Sequence, residues 1–353
     1  MRTLWLVCCA VVHAQLLALQ PSAFSSDECT AIIRLFDTME RQDDERSNPL
    51  LPLMGGAFGV RRANRYADGS LREQTEAILA RLLQSSSLVS QLEAQSPRGA
   101  TRSAADLAGL VDFTLLHEFT PGGQFDWHVD TKPGDGTGRT LNINVMLSDP
   151  TAYSGGTLQV GDQQLTPQLG DAYLYYAGTP HRVGPLENGT RHTLVIALTE
   201  RHSAAATTDE VSYAARRRDY WAAVEAGYKR LTANGLRHEP KVHILHGEHL
   251  EALDRGAEAR EAFCKSYRAT AAPLTYAAEF YASGVTALGM QGEADASGAD
   301  SGGADRSSAR PDLPLAESYL AMAACVDPSH PEASQALQVV REALSIRARA
   351  NEQ

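Results

Sequence analysis

Alternation of apolar and polar residues at a period of two dominates the middle of the chain. The runs Val111 to Phe119, Gln124 to Val129, Leu141 to Leu147, Gly156 to Val160, Ala172 to Tyr176 and Arg191 to Leu198 each read as a short strand. Clusters of Gly, Pro, Asp and Asn separate them, such as KPGDGTG (Lys132 to Gly138) and PLENGT (Pro185 to Thr190). Short strands punctuated in this way predict an antiparallel sandwich or barrel. Two stretches with helical spacing precede them: Asp27 to Met39, with apolar residues at Ile32, Ile33, Leu35 and Phe36, and the longer Leu71 to Leu92. Both are expected to lean on the sheet.

Strand signals stop at HSAAATTDE (His202 to Glu210), and the chain continues in Ala, Leu, Glu and Arg with a helical period. Within Val242 to Pro273, the residues Leu245, Gly247, Leu250, Ala259, Phe263 and Ser266 have the small and large spacing of a helix-turn-helix repeat of about 34 residues. Ala316, Leu320, Ala323 and Pro328 match the second helix of another such unit, whose first helix would be Leu274 to Met290. These units resemble tetratricopeptide repeats, and tandem helices packed for ordinary stability fit the same spacing. Glu293 to Asp312 interrupts them with a low-complexity run whose apolar residues are no larger than alanine, one proline apart, and disorder is expected there. The expected organisation is a leader over 1–20, a β-rich domain over 21–201, a linker over 202–210 and a helical domain over 211–350 with the insertion at 293–312.

The amino terminus sets a positive charge at Arg2 before LWLVCCAVV, followed by small and polar residues near Ala14 and Ala18. This resembles a secretory signal and implies the secretory pathway, either the lumen of the endoplasmic reticulum or the exterior. The stretch falls short of the roughly 20 apolar residues of a comfortable membrane span, so no stable span is expected. A signal anchor and a buried first helix remain the alternatives. With 353 residues, 43% of them hydrophobic and 21% charged, the chain can bury two ordinary cores. A formal charge of -11 disfavours a phosphate backbone as partner. The one compact basic run, Arg216-Arg217-Arg218, lies among acidic residues and reads as a solvated helix face. No CxxC spacing is present, which argues against a zinc ribbon; Cys264 and Cys325, both in helical stretches, could pair in an oxidising lumen. Asn188-Gly189-Thr190 is a glycosylation sequon.

Chemistry concentrates in FDWHVDT (Phe125 to Thr131). On a strand, His128 and Asp130 project together while Trp127 and Val129 face the other way, giving two ligand-type groups on an apolar backing. A third donor must come from elsewhere, and His181, in AGTPHRVGPLENGTRHTLVIAL, stands ahead of the closing strand. Two histidines and one carboxylate leave one side of a metal open, as in non-haem Fe(II) oxygenases, although zinc accepts the same donors. Arg191 lies ten positions after His181, and strand parity puts it on one face with Thr193, Val195 and Ala197, with His192 on the other. A guanidinium directed into a barrel needs an anion, and a dicarboxylate chelating the metal could reach it with its far end. His117 reads as core or as a neighbour of the ligands, Asp126 as an orienting acceptor for His128 or an exposed carboxylate, Asn142 and Asn144 as pocket lining, and Arg139 as lining or surface charge.

Together, His128-Val129-Asp130, His181, Arg191, the Phe119-x-x-Gly122-x-x-Phe125 run and Ser154-Gly155-Gly156-Thr157-Leu158 resemble the 2-oxoglutarate and Fe(II)-dependent dioxygenases of the prolyl 4-hydroxylase type, over about Ser22 to Glu200. The resemblance implies a double-stranded β-helix (jelly roll) with flanking helices. It implies iron ligated by His128, Asp130 and His181, Arg191 on the distal carboxylate of 2-oxoglutarate, and ascorbate as a supporting reductant. Decarboxylation of the cosubstrate to succinate would accompany hydroxylation of a peptidyl side chain, proline first and lysine second. Two positions depart from the family's pattern. Phe119 stands where a tyrosine often helps to hold 2-oxoglutarate, so Thr193, Tyr173 or Tyr175 would replace that bond. Arg191 stands where collagen prolyl 4-hydroxylases usually carry lysine. The helical region would bind a protein substrate or partner. The competing readings are an inactive barrel serving as a scaffold for the helices and a zinc-dependent hydrolase, for which no general base stands beside the ligands.

Overall fold

The computed structural model describes residues 16–37, 41–43, 57–65, 77, 80–82, 110–199, 210–270, 272–288 and 311–351. Twelve strands are present among them: β1 (Leu16–Gln20), β2 (Arg41–Asp43), β3 (Ala57–Arg65), β4 (Val111–His128), β5 (Arg139–Met146), β6 (Tyr153–Gly155), β7 (Leu158–Val160), β8 (Gln163–Leu165), β9 (Ala172–Tyr176), β10 (His181–Val183), β11 (Leu186–Gly189) and β12 (Arg191–Thr199). Ten of them form one antiparallel sheet with a main path β1-β9-β5-β12-β4-β10-β7-β8, with β3 added on β4 and β2 on β3, while β11 and β6 pair separately. This curled antiparallel sheet agrees with the sandwich or barrel that the strand pattern predicts and with the jelly roll that the resemblance implies.

The sheet is apolar on both faces because each face has a different load. Cys29 and Ile32 of helix α1 (Ser26–Asp37) belong to a core with Ile143, Val145, Leu174, Leu194 and Ile196. The opposite face carries Phe119, Leu158, Val160, Tyr173, Tyr175 and Val183, a second cluster beside an internal cavity. Strand β12 sends Leu194, Ile196 and Leu198 to the first core, and Arg191, Thr193 and Val195 to the cavity, as a period of two requires.

Several boundaries differ from the sequence pattern. The two runs expected on either side of Pro121-Gly122-Gly123 are one strand, β4, because Gly122 takes φ +85° and the register against β3 shifts between Val60↔Phe119 and Phe58↔Gln124. Leu16–Gln20, the last five positions of the expected leader, pair with β9 at Ala18↔Leu174 and Leu19↔Tyr173, and so belong to the sheet. Residues 1–15 lie outside the described residues, as do most of the expected helix at 71–92, the linker and the insertion; residues 77 and 80–82 are helical.

Contacts divide the chain into Met1–Arg237 and His238–Gln353. The division falls later than the expected start of the helical domain at 211, because helix α2 (Glu210–Ala233) sits with the sheet: Tyr220, Trp221, Val224, Tyr228 and Leu231 form a buried stripe at helical spacing. The second unit consists of α3 (Pro240–Glu251), α4 (Gly256–Arg268), α5 (Pro273–Ala287), α6 (Leu313–Val326) and α7 (Pro331–Asn351). Gly247 of α3 lies under the Phe263 ring of α4, and Gly284 of α5 lies under Leu320 of α6, so both helix pairs close on a glycine facing a large side chain. Cys264 and Cys325 form a disulfide that ties α4 to α6, with Cα atoms 5.9 Å apart. Among the described residues no helix is long and apolar enough to cross a membrane.

Candidate metal centre

Register brings the two histidines together. His181, the first residue of β10, is the direct cross-strand partner of His128, the last residue of β4. Their ring centroids are 4.1 Å apart. Asp130 follows two residues after β4 ends, where its amide donates to the Ala177 carbonyl at 2.8 Å. Its two carboxylate oxygens then stand 3.6 Å from His128 Nε2 and 3.4 Å from His181 Nε2. One donor atom from each residue lies within 4.8 Å of the other two, close enough for a single ion to touch all three.

Both imidazoles are fixed from behind. His128 Nδ1 meets the Asp126 carbonyl at 2.7 Å, and His181 Nδ1 meets the Thr179 carbonyl at 2.8 Å. A carbonyl can only accept, so each Nδ1 donates to it, and each Nε2 is the ring nitrogen turned towards Asp130. The acceptor for His128 is thus a main-chain oxygen, and of the two readings of the Asp126 carboxylate the exposed one holds. The cause is a register shift between Val183↔Phe125 and His181↔His128, which puts Phe125 and His128 on one face with ring centroids 3.9 Å apart. Asp126 is turned out to solvent, where its carboxylate accepts from Trp127 N at 2.7 Å. Trp127 is buried against Arg182, whereas Val129, beyond the strand end, borders the cavity instead of facing away.

Of the two asparagines expected to line the pocket, Asn144 does so, whereas Asn142 is not among the lining residues and its amide instead donates to Asp130 Oδ2. Arg139 donates to the Asp130 carbonyl at 3.3 Å, pairs with Asp112, and lies 4.5 Å over the Phe113 ring. Burial pushes the Asp130 carboxyl up, but the imidazoles of His181 and His128, the Asn142 amide and the Arg139 charge together hold it below the usual carboxylate range. A carboxylate between two imidazoles whose Nδ1 atoms are already engaged is a donor set that suits a divalent cation.

The same cavity, about 430 Å³, extends from this triad to Arg191. Arg191 is 1% exposed, and its Nε and Nη1 have no hydrogen-bond partner. Buried guanidinium N–H groups left in this way create a site for an anion. Gly156, at φ +62°, supplies the space: a Cβ there would stand 3.0 Å from Arg191 Cδ. Of the three residues expected to compensate for Phe119, Tyr173 stands beside Arg191, whose charge works against the effect of burial on the phenol. Thr193 lines the cavity next along β12. Tyr175 lies at the metal end, where its hydroxyl accepts from Asn144 Nδ2 at 3.1 Å and its ring centroid is 4.9 Å from that of His181. Burial pushes the Tyr173 phenol up to about 12 and Tyr175 well above its ordinary value, so both remain neutral donors.

His117 lines the cavity between Phe119 and Phe125, with ring centroids 6.0 and 6.3 Å away. His192 faces away from Arg191, as parity predicts, with its Nε2 3.2 Å from Glu118.

Residues 114–199 match the family model described as the 2OG-Fe(II) oxygenase superfamily, a span that contains the triad and Arg191. A PKHD-type hydroxylase of Thioalkalivibrio sulfidiphilus is 33% identical over 102 residues, which cover 27% of this chain and 46% of that protein. The PKHD-type hydroxylase PiuC of Pseudomonas aeruginosa is 36% identical over 88 residues, covering 22% of this chain and 39% of its own length. The chain thus spans less than half the length of these curated relatives. A solved prolyl-4-hydroxylase of Pseudomonas putida superposes with a TM-score of 0.38 at 19% identity, covering 52% of this chain and 92% of that one.

Proposed function

We propose that this protein is a 2OG-Fe(II) oxygenase, its residues 114–199 carrying the metal and cosubstrate sites, and that it hydroxylates a side chain of a protein or peptide, with proline the first candidate and lysine the second. One observation carries this reading: a buried arginine with two unpaired N–H groups shares a cavity with a convergent two-histidine, one-carboxylate cluster. A scaffold would have no need of that buried charge, which is costly without an anion.

His128 and His181 hold the metal through Nε2, each kept in the required tautomer by a main-chain carbonyl. Asp130 is the third ligand, and Asn142 fixes the rotation of its carboxylate. Bound iron and 2-oxoglutarate supply the oxidising power, with the cosubstrate decarboxylated to succinate. Arg191 receives the far carboxylate of that cosubstrate, and Tyr173 and Thr193 add hydroxyl contacts at the same end, replacing the hydroxyl that Phe119 lacks. Phe113, Leu115, Phe125 and Val195 keep the remaining wall apolar and exclude water from the reacting carbon. Ascorbate would serve as the supporting reductant. The helical unit binds the protein substrate, and the enzyme works in the secretory pathway; the Cys264–Cys325 disulfide supports an oxidising compartment.

The test supplies Fe(II), 2-oxoglutarate, ascorbate and oxygen, with or without a proline-rich peptide, and measures succinate. Succinate release that His128→Ala abolishes supports the oxygenase, even in the absence of peptide. Tight metal binding with no succinate under any of these conditions would favour a scaffold.

A further inference from the structure

The matched span ends at residue 199, yet the loop that carries the acceptor for His181 is held by a helix beyond it. Gly178 lies between Ala177 and Thr179. The Ala177 carbonyl receives the Asp130 amide at 2.8 Å, and the Thr179 carbonyl holds His181 Nδ1 at 2.8 Å. The Gly178 amide itself donates to the hydroxyl of Tyr220, on α2, at 2.9 Å in a buried setting. Space is tight around this bond. A Cβ on Gly178 would stand 3.1 Å from Trp221 Cζ3 and 3.2 Å from both Val224 methyls, so α2 approaches as closely as it does because position 178 has no side chain.

A second strut runs in parallel. Arg217 packs on the rings of Tyr220 and Trp221, 5.0 and 4.9 Å from their centres, and donates to the Arg139 carbonyl at 2.9 Å. Arg139 in turn donates to the Asp130 carbonyl. Two of the three ligands are therefore tied to α2, Asp130 through Arg139 to Arg217 and His181 through Thr179 and Gly178 to Tyr220.

We infer that Tyr220 is a positioning residue for the metal centre: by holding the Gly178 amide it fixes the turn whose two neighbouring carbonyls set Asp130 and His181. This inference rests on the metal reading above. With the bond removed, the turn gains freedom, the two ligands must be ordered by the ion itself, and affinity falls. The rings of Tyr220 and Trp221 account for packing, whereas the hydroxyl contributes geometry. Tyr220→Phe separates the two, since it keeps the ring and leaves the Gly178 amide without its acceptor.

The experiment titrates the full-length protein with Co(II) under anaerobic conditions and without 2-oxoglutarate, following the visible absorption of the bound ion. Thermal unfolding of the metal-free protein is measured in parallel. Tyr220→Phe is expected to weaken Co(II) binding by about tenfold and to alter the spectrum. The comparison is Ile32→Val, a core change on the opposite face of the sheet, which is expected to lower thermal stability and leave Co(II) affinity at the wild-type value. If Tyr220→Phe does not fold, Gly178→Ala, which pushes α2 off the turn, is expected to weaken binding in the same way. Wild-type affinity and spectrum in the folded variant, or an equal loss in Ile32→Val, overturns the positioning role. If His181→Ala binds Co(II) as tightly as wild type, the metal reading itself fails, a result distinct from either.

Discussion

Arg191 and Phe119 are direct cross-strand partners on β12 and β4, and the guanidinium carbon lies 5.1 Å from the centre of the phenyl ring. The ring gives the cation an electron-rich face but no hydrogen-bond acceptor, so it supports Arg191 without satisfying its N–H groups. On the proposed function, the hydroxyls of Tyr173 and Thr193 take the place of the one that position 119 lacks.

Arg191→Met is expected to abolish the rise in melting temperature that 2-oxoglutarate gives the Mn(II)-loaded protein. By mass action, ligand at a hundred times its Kd adds about 2.7 kcal/mol to wild-type stability. Tyr173→Phe should retain the effect with a Kd raised about fivefold, the equivalent of one hydrogen bond of about 1 kcal/mol. Differential scanning fluorimetry across a cosubstrate series measures both. An unchanged shift in Arg191→Met would remove the anion site from the account.

Acid should loosen the loop between β4 and β5 before it unfolds the sheet. The Asp135 carboxylate accepts from Lys132 N, Thr137 N and the hydroxyls of Thr131 and Thr137. Burial pushes its carboxyl up, but these four bonds outweigh burial and hold it below the usual range. A carboxylate with a depressed folded value stabilises the protein above its unfolded pKa of about 3.9, and that contribution disappears as the pH falls through the folded value. Asp135→Asn should thus lower stability at pH 7 and flatten its dependence on pH below about 4. Urea denaturation at pH 7 and at acid pH checks the sign, which would be reversed if the carboxylate were unfavourable.

Thiol chemistry should divide the described cysteines cleanly. Burial, helped by the Glu28 charge, pushes the Cys29 thiol up to about 11, so it should resist alkylation at pH 8 until the protein unfolds. Cys264 and Cys325 should react only after reduction. Their bond spans a sequence separation of 61, and loop-closure entropy assigns it about 4 kcal/mol. In a Cys8→Ser, Cys9→Ser background, thiol titration should count none in the native protein, one after denaturation and three after reduction. Cys325→Ser should lower the melting temperature of the helical unit, and a count of three without reductant would contradict the bond.

The site was legible where local chemistry and a period of two coincide. Arg191, Thr193 and Val195 face the cavity because nothing interrupts β12, and HVD at the end of a strand next to a distal His-Arg pair defines the donor set. Parity left two readings of Asp126 open, and the exposed one holds because of a register shift between residues 125 and 128 that depends on the partner strand, which the local pattern does not contain. The same limit hid Asn142 as a partner of Asp130: its spacing marks it only as a buried polar residue. Helix α2 was legible as a helix but not as part of the sheet unit, since the counterpart of its aromatic stripe is the small, distant Gly178. Pro121-Gly122-Gly123 reads as a break, yet a glycine at positive φ lets β4 continue through it.

The most direct measurement is a crystal structure of the protein grown with Mn(II) and 2-oxoglutarate in the absence of oxygen. The account predicts one ion bonded to His128 Nε2, Asp130 and His181 Nε2, with the cosubstrate chelating it and its far carboxylate on Arg191. An ion bound elsewhere, or a cosubstrate whose far carboxylate leaves the Arg191 N–H groups unpaired, would contradict it.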